Sequence, residues 1–205
     1  MKIRVAIADD HKIVRMGLAA LLATAYDLEL VGEAEDGIAT VRLAKRLKPD
    51  IVIMDLMMPR KDGVEATREV LAASPETKVV VLTSYGTANA VSQAIKAGAY
   101  GALMKTADDA QIVSVIRKVA AGEKYVSPEI MQSIRETPPI PVLSPRQTEV
   151  LKQLTQGRTN KESADALGIR TDGVEDHIKI ILAKLGASNR TEAVAIALRR
   201  HLLKM

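Results

Sequence analysis

The stretch Ile51-Val52-Ile53-Met54-Asp55-Leu56-Met57-Met58-Pro59 decides how this chain is read. Ile51 to Met54 is a short apolar run rich in β-branched side chains, the pattern of a strand buried on both faces. It stops on an acid, Asp55. The same design recurs on either side. Upstream, Ile3 to Ala8 is another β-branched run; it stops at Asp9-Asp10, and Val14, Leu18, Leu21 and Leu22 then fall at helical spacing. Leu28 to Ala34 reads as a second strand, and Val41, Leu43, Ala44 and Leu47 as a helix ending before Pro49. Downstream, a helix follows Gly63, and Lys78 to Leu82 is a fourth strand. Another helix runs to Ala97-Gly98, Gly101 to Met104 is a fifth strand, and Ile112, Val113, Ile116 and Val119 mark a fifth helix.

Five strand–helix repeats predict an α/β domain over residues 1–125, a doubly wound five-stranded parallel sheet with helices on both faces. From 126 to 142 the prolines Pro128, Pro138, Pro139 and Pro141 predict an extended linker. Residues 143–205 are helical in pattern, with Gly157, Gly168 and Gly186 as stops, and predict an all-α domain of four helices.

The totals narrow the classes. The absence of Cys excludes disulfides and thiolate metal sites. No apolar run approaches the ~20 residues of a membrane span, and acid arrives too early for a signal peptide; a cytoplasmic protein without a membrane partner is expected. Of 29 basic and 25 acidic residues, eleven and seven lie from Leu143 onward, so the formal excess of +4 sits in the helical part. That excess is compatible with a polyanion partner and equally with a solvated surface.

Ligands of parallel sheets sit at the carboxyl ends of the strands. Asp9 and Asp10 end the first strand, Asp55 the third, Thr83 and Ser84 the fourth, and Lys105 follows the fifth. Any one acid there could equally cap a helix, and Lys105 alone could be a surface charge. Together they converge on one edge, where three carboxylates call for a cation, and hard oxygen ligands suit Mg²⁺. A carboxylate beside Mg²⁺ can attack phosphorus to give an aspartyl phosphate, with an ammonium and a hydroxyl to hold the phosphoryl oxygens.

Asp9-Asp10-His11, Ile53-Met54-Asp55-Leu56-Met57-Met58-Pro59, Asp62-Gly63, Leu82-Thr83-Ser84, Ala97-Gly98-Ala99 and Lys105 together resemble the receiver domain of bacterial response regulators, a CheY-like fold. The resemblance implies Asp55 as phosphoacceptor for a sensor histidine kinase. It also implies Asp9, Asp10, Asp55 and the Met57 backbone carbonyl as Mg²⁺ ligands, Thr83 as the hydroxyl that follows the phosphoryl group, and Lys105 as its counter-ion. Self-phosphorylation and slow self-dephosphorylation, rather than turnover, are then expected. Where receivers often carry Tyr or Phe three residues before the Lys, this chain has Ala102, which cannot act as an aromatic switch.

In the tail, Ser144-Pro145 starts a helix carrying Val150, Leu151 and Leu154. Asn160 to Leu167 is a second, Thr171 to Leu185 a third, and Thr191 to Leu203 a fourth. The second and third, joined through Gly168, fit a helix-turn-helix whose third helix enters the major groove; a plain helical bundle fits the periodicity equally well. Leu143-Ser144-x-Arg146, Gly157-x-x-Asn160-Lys161-Glu162, Val174, His177, Lys184-Leu185 and Arg190-Thr191-Glu192-Ala193 resemble the LuxR-type helix-turn-helix. The whole chain thus resembles a NarL/FixJ-type regulator, which implies a transcription factor that binds double-stranded DNA and dimerises when phosphorylated. Lys161, Arg170, Lys179 and Arg190 are expected at phosphates, with His177 on the reading helix. The chain departs from the pattern at Gly173, and at Glu175 and Asp176, where the pattern usually has a Lys at the first of the two acids. Carboxylates oppose phosphates but can accept from cytosine N4. Two alternatives stay open: a tail that binds a protein instead of DNA, and a metal-dependent phosphatase.

Overall fold

The computed structural model describes residues 2–84, 88–136, 143–199 and 202–203. They form two compact units, Met1–Pro138 and Pro139–Met205.

In the first unit, β1 (Ile3–Ala8), α1 (Lys12–Thr24), β2 (Leu28–Ala34), α2 (Gly37–Leu47), β3 (Ile51–Asp55), α3 (Gly63–Ala73), β4 (Lys78–Thr83), α4 (Ala88–Lys96), β5 (Gly101–Met104) and α5 (Asp109–Ala120) follow the expected alternation. The strands pair in parallel in the order β2-β1-β3-β4-β5. Alternate strand residues feed two cores. Ala6, Val52, Met54, Val79, Val81 and Ala102 pack with α2, α3 and α4, while Val5, Ile7, Ile51, Ile53, Val80, Leu82 and Leu103 pack with α1 and α5. Each fully buried Val, Leu or Ile contributes about 1.5–3 kcal/mol, so this two-sided burial fixes the strand register and with it the strand ends. Asp36, Asp62 and Asp108 cap α2, α3 and α5 by accepting from the Ala39, Glu65 and Gln111 N–H groups.

Two expectations are corrected. The sheet gains a sixth strand, β6 (Tyr125–Val126), parallel to β5. The supposed linker opens with a helix, α6 (Pro128–Glu136), packed on α4 and β5, with Ile130 2% exposed. The reason is positional. Pro128 occupies the first turn, where its missing N–H is not needed, and the other prolines lie beyond Glu136. Residues 137–142 of the expected linker lie outside the described residues.

The second unit comprises α7 (Pro145–Thr155), α8 (Asn160–Leu167), α9 (Thr171–Leu185) and α10 (Arg190–Arg199), the four helices expected. The last is shorter than expected; of the remainder up to Leu203, residues 200–201 are not described. Capping boxes at Ser144–Gln147 and Thr159–Glu162 start α7 and α8. Gly168 and Gly186 end α8 and α9 at φ 64°, a left-handed conformation that favours glycine. Val150, Leu151, Leu154, Val174, Ile181, Leu185 and Ile196 form the core.

Candidate functional site

The strand ends converge as the sequence requires. Asp9 follows β1, Asp55 closes β3, Thr83 closes β4, and Lys105 follows β5, where its N–H donates to the Thr83 carbonyl at 2.7 Å. The Lys105 Nζ lies 2.6 Å from Asp9 Oδ2 and 2.9 Å from Asp55 Oδ2. Both carboxylates are almost enclosed, 2% and 4% exposed, whereas Asp10 sits at the rim. Ligand atoms of Asp9, Asp10, His11 and Asp55 all lie within 4.8 Å of one another.

Burial pushes the Asp55 carboxyl above its ordinary value; hydrogen bonding to Lys105 and the Lys105 charge pull the other way, the Asp9 charge adds to the rise, and the Met57 N–H holds the ionised form. For Lys105 burial works against the ammonium, but its bonds to Asp9 and Asp55 prevail and its pKa is raised. Thr83, which closes β4 one residue beyond the partner of Asp55 in the sheet, is itself buried. His11 was absent from the expected ligands. Its backbone N–H donates to Asp9 Oδ1 at 2.8 Å, and its Nδ1 lies 2.7 Å from Asp10 Oδ1. The only sequence signal for it is adjacency to the acid pair.

In the helical unit the expected contact residues divide. Lys161 is exposed on α8, and Arg170, Glu175, Asp176 and Lys179 line the exposed side of α9. Two of the cations are engaged there: Arg170 pairs with Asp172 at 2.9 Å, and Lys179 with Asp176 at 3.2 Å. Glu175 adds a further carboxylate to this face. His177 is half-buried, and its Nδ1 is enclosed without a hydrogen-bond partner. Arg190 is turned to internal work at the start of α10, its guanidinium donating to the Arg158 carbonyl and, at 3.4 Å, to Asn160 Oδ1. Gly173 is not demanded by packing, since a Cβ there would meet only Ile169 Cδ1, at 4.0 Å.

Residues 5–117 match the family model for the response regulator receiver domain. The chain belongs to the response regulators. Residues 141–197 of this regulator match the model for bacterial regulatory proteins of the luxR family. It is 41% identical to the transcriptional regulatory protein LiaR of Bacillus subtilis (strain 168), covering 98% of this chain and 99% of LiaR. It is 35% identical to the response regulator protein VraR of Staphylococcus aureus (strain NCTC 8325 / PS 47), over all of both chains. Among solved structures, the response regulator ChrA of a heme-sensing two-component system matches with 34% identity and a TM-score of 0.59, over 98% of this chain and 99% of ChrA. The RcsB response regulator of Salmonella typhimurium, described for its conformational dynamism in DNA interaction, matches with 25% identity and a TM-score of 0.61, over 95% and 98%. The regulator is thus a two-component transcription regulator, a CheY-like receiver joined to a LuxR-type DNA-binding domain. The luxR-family match favours a DNA-binding tail over one that has become a protein binder. The relatives are named as regulators, not as phosphatases.

Proposed function

We propose that Asp55 is the phosphoacceptor, charged by a sensor histidine kinase, and that its phosphorylation governs DNA binding by the helical unit. The observation that carries this is the Lys105 ammonium held between Asp9 and Asp55 at 2.6 and 2.9 Å, on the edge where three carboxylates converge. Three carboxylates against one ammonium leave negative charge uncompensated, and hard oxygen donors at a partly open edge suit Mg²⁺. Asp9, Asp10, Asp55 and the Met57 backbone carbonyl would hold it. Bound there, Mg²⁺ would supply positive charge to offset the carboxylates and the oxygens of an incoming phosphoryl group.

A carboxylate oxygen of Asp55 attacks phosphorus, the bond to the donor breaks, and an acyl phosphate forms on Asp55. Lys105 turns from Asp55 to the new phosphoryl oxygens, and the Thr83 hydroxyl follows them. The chemistry ends in slow self-hydrolysis, not in turnover. The phosphorylated chain dimerises in the cytoplasm and binds duplex DNA through α9, with Lys161, Arg170 and Lys179 at phosphates and Glu175, Asp176 and His177 along the reading helix. The receiver, carried through α6 to Glu136, holds the phosphoacceptor function, and residues 143–205 hold the DNA-binding function.

The test is intact-mass measurement after treatment with acetyl phosphate and Mg²⁺. One phosphoryl group should appear, and none with Asp55→Asn or in excess EDTA; the same adduct on Asp55→Asn overturns the assignment. Duplex binding measured with and without the donor should rise with phosphorylation.

A further inference from the structure

Asp36 is an acid with no exposure at all. One of its oxygens caps α2, accepting from the Ala39 N–H at 2.7 Å. The other accepts no hydrogen bond of ordinary geometry and faces the guanidinium of Arg60, with which it forms an ion pair. Arg60 also reaches Glu35 Oε1 at 3.5 Å. A buried carboxylate without such a partner is strongly disfavoured, so a helix cap alone does not explain this pair.

Arg60 lies in the loop that leaves Asp55, and its φ of 64° is left-handed, unfavourable for any residue with a side chain. That loop is seated at two further places. The Gly37 N–H donates to the Lys61 carbonyl at 3.2 Å, and a Cβ on Gly37 would stand 2.5 Å from that oxygen. The Gly63 N–H donates to the Leu56 carbonyl at 3.0 Å, and a Cβ on Gly63 would stand 2.1 Å from the Asp55 carbonyl. Only glycine permits either approach. The segment between Asp55 and Gly63 is therefore clamped against β3 at one end and against the start of α2 in its middle. It carries Met57, whose N–H holds the Asp55 carboxylate.

We propose that Asp36 and Arg60 are positioning residues of the phosphoacceptor site. The buried acid at the start of α2 holds, through Arg60, the loop that presents the Met57 backbone to Asp55 and to the cation. This rests on the reading of Asp55 as phosphoacceptor.

The test compares Asp36→Ser, which keeps a side-chain cap for α2, with Arg60→Gly, which suits the left-handed backbone. Mg²⁺ affinity is measured by titration calorimetry, and folding by circular dichroism. Each variant should raise the Mg²⁺ dissociation constant about 10-fold, the size expected when a group that orients a metal ligand is lost. The double variant should lose no more than either single, because the two act as one pair. Arg60→Lys, which keeps the charge, should restore most of the affinity. Arg60 is exposed, so its replacement reads the effect even where Asp36→Ser folds poorly. Parental Mg²⁺ affinity in Arg60→Gly, or losses that add in the double variant, would overturn the proposal. If the parent chain labels on Asp55 under these conditions, only the positioning role falls; if it takes no phosphoryl group there, the phosphoacceptor reading falls with it.

Discussion

The receiver and helix α9 both gather carboxylates, and they treat them oppositely. In the receiver, Asp9 and Asp55 are enclosed, come from different strands, and share one ammonium whose position the sheet register fixes. On α9, Asp172 and Asp176 are exposed, come from one helix, and pair with Arg170 and Lys179, neighbours in sequence. A low-dielectric edge makes each charge count and leaves a deficit that a cation or phosphoryl group fills. In water the same groups screen one another and contribute little. The first arrangement is prepared for chemistry, whereas the second tunes a surface.

The largest effect that separates them is expected at Lys105. Lys105→Met leaves Asp9 and Asp55 without their cation and should cost about 3 kcal/mol in urea unfolding with EDTA present, the low end for breaking a buried pair because Lys105 is partly exposed. An unchanged midpoint would mean that water already compensates these carboxylates. Next comes Mg²⁺ itself. At ten times its dissociation constant it should stabilise the receiver by about 1.4 kcal/mol, with no effect on the unfolding of the helical unit. Asp10→Ala should remove most of that gain; a shift that survives it would place the ion elsewhere.

A smaller effect is expected on α9. Gly173→Ala should stabilise the helical unit by about 0.5–1 kcal/mol, since helical glycine costs that much and space for a methyl exists. Thermal melting that moved downward would show a role for the glycine that packing does not reveal. The smallest is at Asp176. Asp176→Asn should change stability by no more than about 0.5 kcal/mol. It should raise affinity for random duplex and steepen its salt dependence by about one released ion, as Lys179 is freed. That gain should vanish when Lys179→Ala is added. Weaker binding to one sequence alone would instead mark Asp176 as a base reader.

The five strands, the acids at their ends and the four tail helices were legible because each is a local pattern: an apolar run, a stop and a helical stripe. β6 and α6 were not, because the prolines from Pro128 to Pro141 read as one tract, although Pro128 stands in the first turn of a helix, which tolerates it. The engagement of Arg190 with Arg158 and Asn160, and the inward turn of His177, depend on how helices pack and leave no local trace. The Asp36–Arg60 pair is hidden in the same way. Asp36 reads as an ordinary cap before Gly37, and nothing near Arg60 signals a left-handed backbone.

Ala102 is the small residue on β5 at the position where receivers often carry an aromatic, and it has no exposure. The Ser127 N–H donates to its carbonyl at 3.0 Å, and Ile130 of α6 belongs to the same apolar cluster. The receiver is therefore not finished where its last strand–helix repeat ends. A fragment cut after residue 125 would shed Ser127 and Ile130, both almost fully enclosed, and open apolar surface over Val91, Ala94 and Ala102. Anyone isolating this receiver should carry it through Glu136; the shorter piece is expected to be sticky and unstable, and its behaviour would misrepresent the signalling of the whole chain.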